Sequence, residues 1–260
     1  NEVYESCKVI CHELKLPFQT HKIDWINKYE AMHQVIENIN KFELTNSNLD
    51  LELVKSLVAL LTPFKAASLE LRQDNKPTLN HVLLWFHKLI KALADDDNSE
   101  DQLAGLKKVI KRELEDNFQI EMLHKIATFL WPNFRLLKMM TQDERERVHT
   151  EIRYLIENDT TISDGYVVPK KTTQNDFGEW EVDNDNYKDE VSKYLSVQLT
   201  TCTDRNILTW WREHASDFPK LSHLAKWILA IPASVTLFER YKMTTGQRVN
   251  EDLLFLHCNL

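Results

Sequence analysis

The chain has 260 residues, of which 43% are hydrophobic and 28% are charged; this composition is that of a globular protein and excludes wholesale disorder. Only four residues are glycine, which favours helices over turn-rich β and α/β folds. The formal net charge of −8 argues against a phosphate-binding surface across the whole chain. Residues 159–190 alone hold nine acids against three lysines, which leaves room for a local basic patch elsewhere.

The four cysteines point to a reducing compartment. Cys7 and Cys11 are four residues apart on a predicted helix, but no second ligand pair at zinc-knuckle spacing accompanies them, so we expect buried free thiols there and no metal site. No stretch approaches the ~18 apolar residues of a membrane span. The N-terminus lacks the apolar core of a signal peptide. Because the sequence starts at Asn1 without a methionine, we expect a piece of a longer protein.

Apolar residues at spacings of three and four predict a series of helices. In the second of them, Tyr29, Met32 and Val35 share one face. Thr141 with Glu144 three residues later predicts a capping box, in which each residue pairs with the backbone of the other. The predicted helices cover residues 3–14, 25–42, 51–61, 102–117, 120–129 and 141–157, together with one that Thr78 or Asn80 caps and that runs through Leu93.

The remainder of the chain consists of a polar, acidic stretch followed by a series of short predicted helices. Residues 160–186 are polar and acidic, and a loop of that length predicts disorder or a functional segment. Residues 188–260 predict shorter helices that are broken at 200–205, at Phe218-Pro219 and at Ile231-Pro232.

The sequence contains no complete signature of catalysis or metal binding. The glycine-rich phosphate loops, the zinc-protease motif and the hydrolase nucleophile motif are absent, and the ten histidines occur singly. The tryptophans are most simply anchors of a core or an interface. For Trp25 the alternative is stacking on an unpaired base.

Several motifs follow one another in a single register in the last third. They are a double tryptophan ending one helix, an aromatic-Pro-x-Leu stretch, an Ile-Pro-Ala-Ser run ending the next helix and a Glu-Arg pair, at residues 210–211, 218–221, 231–234 and 239–240. This order resembles the C-terminal region of hAT-superfamily transposases and of host proteins derived from them. Three upstream segments are also similar to that family, at residues 24–42, 60–83 and 126–148, the last being most like its BED-finger relatives.

The resemblance implies a mainly α fold, with a helical insertion domain packed on the C-terminal helices of a split RNase H-like domain. Residues 1–24 would then be the last helix of the RNase H-like part, 25–158 the insertion, 159–188 an acidic, disordered linker and 189–260 the dimerisation region. In the family, three acids hold two metal ions for DNA cleavage. Glu239 would be the third acid, and the two aspartates would precede Asn1. One carboxylate cannot hold two ions, so we expect this chain to need no cofactor and to be inert alone.

Departures from the family pattern favour a domesticated, catalytically inactive parent. Asp24 replaces an arginine, and Leu130-Trp131-Pro132-Asn133 replaces Leu-Asp-Pro-Arg, so polar or basic groups are lost. The expected function is homodimerisation of a nuclear DNA-binding or transcription-regulatory protein whose zinc-finger module lies outside this chain. DNA, bound through the full-length parent, and other nuclear proteins are the further expected partners. The alternatives are a fragment of an active, Mg²⁺-dependent transposase and a pure protein-interaction scaffold.

The expected functional residues fall into two groups. The dimer interface is expected to use large apolar groups of the C-terminal helices, namely Trp210, Trp211, Trp227, Leu253, Leu254, Phe255 and Leu256. The expected DNA-contact residues are Trp25, Arg240, Lys242 and Arg248.

Overall fold

A computed structural model describes residues 2–13, 25–38, 50–94, 102–158, 189–198 and 206–234. In these ranges the chain forms ten α-helices and no strand, which confirms the predicted mainly α class. The helices are α1 (Glu2–Glu13), α2 (Trp25–Asn38), α3 (Leu51–Leu71), α4 (Leu79–Ala92), α5 (Ala104–Asn117), α6 (Met122–Phe129), α7 (Gln142–Asn158), α8 (Glu190–Ser196), α9 (Ile207–Glu213) and α10 (Pro219–Ile228). The predicted acidic linker and the predicted break at 200–205 lie outside the described residues.

Helix α3 is longer than the predicted 51–61 and continues through Pro63 to Leu71. A proline inside a helix removes one backbone hydrogen bond and normally ends or bends the helix. Here the side chains around Pro63 are held by α2: the hydroxyls of Tyr29 and Thr62 are 3.2 Å apart, and the Lys65 ammonium lies 4.7 Å from the centre of the Tyr29 ring. These tertiary contacts stabilise the helix beyond the proline.

The chain divides into two compact units. The first comprises Asn1–Glu70 and Trp85–Gln119. Its main core lies between α1, α2 and the first half of α3, and the buried residues there include both N-terminal cysteines. Cys7 and Cys11 are free thiols with no exposed surface, as the sequence predicts. Burial, together with the neighbouring Cys11, raises the pKa of Cys7 to about 11, so its thiol stays protonated.

The second unit comprises Leu71–Leu84 and Ile120–Leu260. One apolar cluster runs through its described part and takes side chains from the start of α4, from α6 and α7, and from α8, α9 and α10. The capping box is present at the start of α7: the Glu144 N–H donates to the Thr141 hydroxyl at 3.4 Å, and the Thr141 N–H donates to the Glu144 carboxylate at 3.1 Å. That prediction is confirmed.

These units do not follow the predicted domain boundaries. Residues 25–158 were expected to form one insertion domain packed on the C-terminal helices. The two units divide that range, and its α6 and α7 share a core with α8–α10. The physical reason is that α8, α9 and α10 have only seven, seven and ten residues. They bury Tyr194, the two tryptophans of α9 and the aliphatic side chains of α10 against the earlier helices. The core of the C-terminal region is therefore composite.

Candidate functional site

Four aromatic side chains form the centre of the second unit. Tyr194 of α8 lies 5.3 Å from Trp211 and 5.7 Å from Phe218, measured between ring centres. Trp210 meets Trp211 edge to face at 4.9 Å. Both tryptophans are only 4% exposed, and Tyr194 is fully buried. Aromatic pairs in this geometry add to the free energy gained from burial alone.

Two hydrogen bonds connect these rings to the end of α6. The Trp211 indole Nε1–H donates to the carbonyl of Leu130 at 2.8 Å, and the Tyr194 hydroxyl donates to the carbonyl of Phe129 at 3.3 Å. Both carbonyls lie near the helix terminus, where backbone acceptors lack partners within the helix. Complete burial raises the pKa of Tyr194 well above its ordinary value, so it is a neutral donor.

This burial corrects the expected role of the double tryptophan. Trp210 and Trp211 were expected at a dimer interface, because short helices cannot bury such large groups among themselves. In the structure α6, α7 and α8 supply the missing partners within the same chain. Neither indole offers a surface to a second copy in this arrangement, so both anchor the fold.

Two consecutive acids tie α8 to its neighbours. The Asp189 carboxylate accepts hydrogen bonds from the Ser192 N–H and from Arg153 Nε of α7, each at 2.7 Å. Burial alone would raise the pKa of Asp189, but these bonds hold it below its ordinary value. The Glu190 carboxylate accepts the backbone N–H of Leu221 at 2.9 Å and so caps the first turn of α10. Asp189 and Glu190 were predicted only as two of the nine acids of residues 159–190, although an aspartate directly before the apolar residues Val191 and Tyr194 is a typical N-cap.

The family-like motifs meet in space. The N–H of Ala233, in the Ile-Pro-Ala-Ser run, donates to the hydroxyl of Thr78 at 2.9 Å, just before α4. The Arg135 guanidinium, which follows the Leu-Trp-Pro-Asn segment, donates to the carbonyl of Pro132 at 2.8 Å and also to that of Val197. Segments more than 60 residues apart in sequence are thereby fixed to one another.

His149 is a further buried group in this unit. Its ring lies 5.4 Å from that of Phe129, edge to face, and its Nε2 has no hydrogen-bond partner among the described residues. Burial first, and then the positive charges of Arg153 and Arg145, lower the pKa of His149. The imidazole is therefore neutral at neutral pH.

Two large apolar residues of the C-terminal helices are exposed. Trp227 of α10 is 50% exposed and Leu208 of α9 is 46% exposed. The Trp227 indole donates to Nε2 of His223, one turn earlier, at 3.3 Å, which orients the ring on the surface. Of the predicted interface residues that the structure describes, Trp227 is thus the one placed to reach a partner.

Of the remaining predicted site residues, one is described by the structure and the others lie outside the described residues. Trp25 begins α2 and is 39% exposed. The predicted third acid, three DNA-contact residues and four interface residues lie outside the described residues, namely Glu239, Arg240, Lys242, Arg248, Leu253, Leu254, Phe255 and Leu256. Within the described ranges no three His, Cys, Asp or Glu residues are grouped so as to hold a metal ion. No described helix is long and apolar enough to cross a membrane.

Comparison with known proteins defines the class of this region. Residues 183–253 match the hAT family C-terminal dimerisation region, so the resemblance predicted from the sequence is confirmed. This segment includes α8, α9 and α10, together with the acidic pair that caps α8 and α10.

Individual relatives match over most of the chain. Zinc finger protein 618 of Mus musculus is 26% identical over 90% of this chain, and its Homo sapiens counterpart is 25% identical over the same share. The zinc finger BED domain-containing protein DAYSLEEPER of Arabidopsis thaliana is 23% identical over 72% of the chain. The matched part is 26% of each zinc finger protein 618 and 30% of DAYSLEEPER, so the chain spans between a quarter and a third of these relatives.

Proposed function

We propose that this chain is the homodimerisation part of a transposase-derived nuclear protein that binds DNA and regulates transcription, and that the chain is not an enzyme by itself. The match of residues 183–253 to a dimerisation region supports self-association. The zinc-finger names of the relatives support a DNA-binding parent, whose finger would lie outside this chain. In this proposal the parent acts in the nucleus, with other nuclear proteins as further partners.

The exposed indole of Trp227 carries the proposal. It stands on a helix of the dimerisation region, 50% exposed, whereas Trp210 and Trp211 of the same region are buried. Tryptophan is enriched among the few residues that dominate binding at interfaces. A second copy would cover Trp227, and we expect Leu253, Leu254, Phe255 and Leu256 to contribute to the same interface.

The family arrangement extends the proposal to the parent. The RNase H-like part would be split by the helical segment, with Glu239 as a vestigial third acid. Mg²⁺ would enter only if the parent kept two further catalytic acids. In the parent, DNA would be bound mainly by the zinc finger and additionally contacted by Trp25, Arg240, Lys242 and Arg248.

Sedimentation equilibrium of matched variants tests the interface. Trp227→Ala should weaken the dimer by ~2 kcal/mol or more, a change of roughly thirtyfold in dissociation constant. Tyr154→Ala is the control, because Tyr154 is 60% exposed in the same unit but lies outside the dimerisation region. Its dimer should match the unmodified chain. Equal dissociation constants for the two variants would show that Trp227 does not contribute to the interface.

A further inference from the structure

Helix α5 contains a four-residue pattern around a lysine. Ile110, Lys111, Arg112 and Glu113 follow one another as an aliphatic residue, a lysine, a variable residue and a glutamate. No other lysine of the sequence has an aliphatic residue directly before it and an acid two positions after it. Lys111 makes no hydrogen bond or ion pair with another residue that the structure describes, so the packing of the first unit does not account for a lysine there.

The side chains of this pattern lie at the surface of the first unit. Those of Arg112 and Glu113 are both more than half exposed, and Lys111 is partly exposed. Ile110 and Leu114 are also partly exposed and pack against a small cluster of buried leucines. No residue within α5 is buried, so few apolar contacts hold this helix to the unit.

The C-terminal half of α5 is the less stable half. A helix dipole is negative at the C-terminus, so bases stabilise the last turn and acids destabilise it. The last turn of α5 has no base and contains Glu115 and Asp116. Segments with few buried apolar contacts are also the first to open locally. We therefore expect residues 110–117 to leave the helical conformation more often than the helices that form the two main cores.

An enzyme that conjugates a small ubiquitin-like modifier recognises this pattern in an extended segment. Its surface supplies an apolar contact for the aliphatic residue, a narrow groove that leads the lysine to a catalytic cysteine, and basic groups for the acid that follows. We propose that Lys111 is an acceptor site for a small ubiquitin-like modifier, and that the enzyme recognises Ile110 and Glu113 when this half of α5 opens. Glu115 and Asp116 extend the negative charge that the basic surface attracts.

The transfer forms an isopeptide bond. The modifier arrives as a thioester between its C-terminal glycine and the cysteine of the conjugating enzyme, and ATP drives the formation of that thioester. The Lys111 ammonium gives up a proton in the groove of the enzyme, and the resulting amine attacks the thioester carbonyl carbon. The C–N bond forms, the C–S bond breaks and the cysteine leaves as a thiolate. The product is the chain with the modifier joined to Nζ of Lys111.

Local opening is required because of where Ile110 lies. In the helix this side chain packs against the leucine cluster, so it reaches an enzyme surface only when the segment leaves α5. The rate of conjugation is then proportional to the open fraction. A substitution that makes α5 easier to open, without changing the pattern, should therefore speed up conjugation.

Conjugation of the full chain with purified activating enzyme, conjugating enzyme, modifier and ATP tests the site through the initial rate of adduct formation. Lys111→Arg keeps the positive charge but cannot form the isopeptide bond, so it should abolish the adduct. Glu113→Gln should slow conjugation roughly tenfold, because a charged contact with the enzyme is lost. Lys108→Arg is the matched control, since Lys108 is exposed on the same helix but has no acid two positions later. It should react at the rate of the unmodified chain.

A pair of substitutions at the variable position measures the opening step. Arg112→Gly and Arg112→Ala remove the same charge and leave the pattern intact, but glycine weakens a helix interior relative to alanine. Conjugation should therefore be about fivefold faster in Arg112→Gly than in Arg112→Ala. The proposal would be overturned by an adduct that persists in Lys111→Arg, by equal rates for Glu113→Gln and the unmodified chain, by equal rates for the two Arg112 variants, or by no adduct on the unmodified chain.

Discussion

Replacing Trp211 with phenylalanine separates a core role from an interface role. The change removes the indole N–H that bonds the buried Leu130 carbonyl at 2.8 Å, and an unpaired buried carbonyl costs ~1–3 kcal/mol. The smaller ring leaves a void beside Tyr194, which costs about 1 kcal/mol more. The second unit should therefore lose about 2–4 kcal/mol of unfolding free energy. A dimer that forms should keep its dissociation constant, because Trp211 is buried inside one chain.

Hydrogen exchange is the assay that suits a chain with two units, since it reports each helix separately. The slowest amides of α7 around Val148 and Ile152, both fully buried, should lose protection by roughly thirtyfold to a thousandfold. Leu208→Ala, at a 46% exposed position on the same helix as Trp211, is the control and should change unfolding by less than about 0.5 kcal/mol. Unchanged protection of the α7 amides in Trp211→Phe would show that Trp211 does not stabilise the core of the second unit.

Three further predictions concern the stability of the second unit. Burial and Arg153 lower the pKa of His149 in the folded chain, so the unfolded chain binds the proton more readily and stability should fall as pH drops below about 6.5. The urea midpoint of His149→Gln should fall less over this pH range than that of the unmodified chain, and an identical fall in both would show that His149 is not the group responsible. Hydrogen bonds from Thr141 lower the pKa of Glu144, so this half of the capping box should stabilise the unit above the ordinary carboxyl pKa and be lost in acid. Thr141→Ala should cost about 1 kcal/mol at pH 7 in urea titrations and less in acid, where Glu144 is protonated and only the bond from the Glu144 N–H to the Thr141 hydroxyl remains; equal costs in both conditions would count against this role. Residues 183–260 alone should show no cooperative thermal transition by circular dichroism, because their core partners lie upstream; a sharp transition would show that the dimerisation region folds autonomously.

Local signals were readable from the sequence where neighbouring residues decide the structure. The Thr141–Glu144 box was predicted because both partners lie within one turn, and its hydrogen bonds are present. The predicted helix over 51–61 is too short, because the contacts beside Pro63 come from Tyr29, more than 30 residues away, and α3 continues to Leu71. Such tertiary effects leave no mark in the local spacing of apolar residues.

The candidate site was predictable in its location but not in its division between core and surface. Trp210, Trp211 and Trp227 have the same side chain, and the sequence predicts all three as large apolar residues of a dimer interface. Which one is exposed depends on α6 and α7, whose backbone carbonyls and apolar faces cover the first two. The cap that Glu190 provides for α10, 29 residues later, depends on the same packing, because its partner N–H groups are brought near only in the folded unit.

Sedimentation velocity of the unmodified chain at micromolar concentration measures homodimerisation itself. If the chain dimerises, we expect a species of twice the 30.7 kDa chain mass, with a monomer fraction that grows on dilution. A single species of 30.7 kDa across the concentration range would contradict homodimerisation.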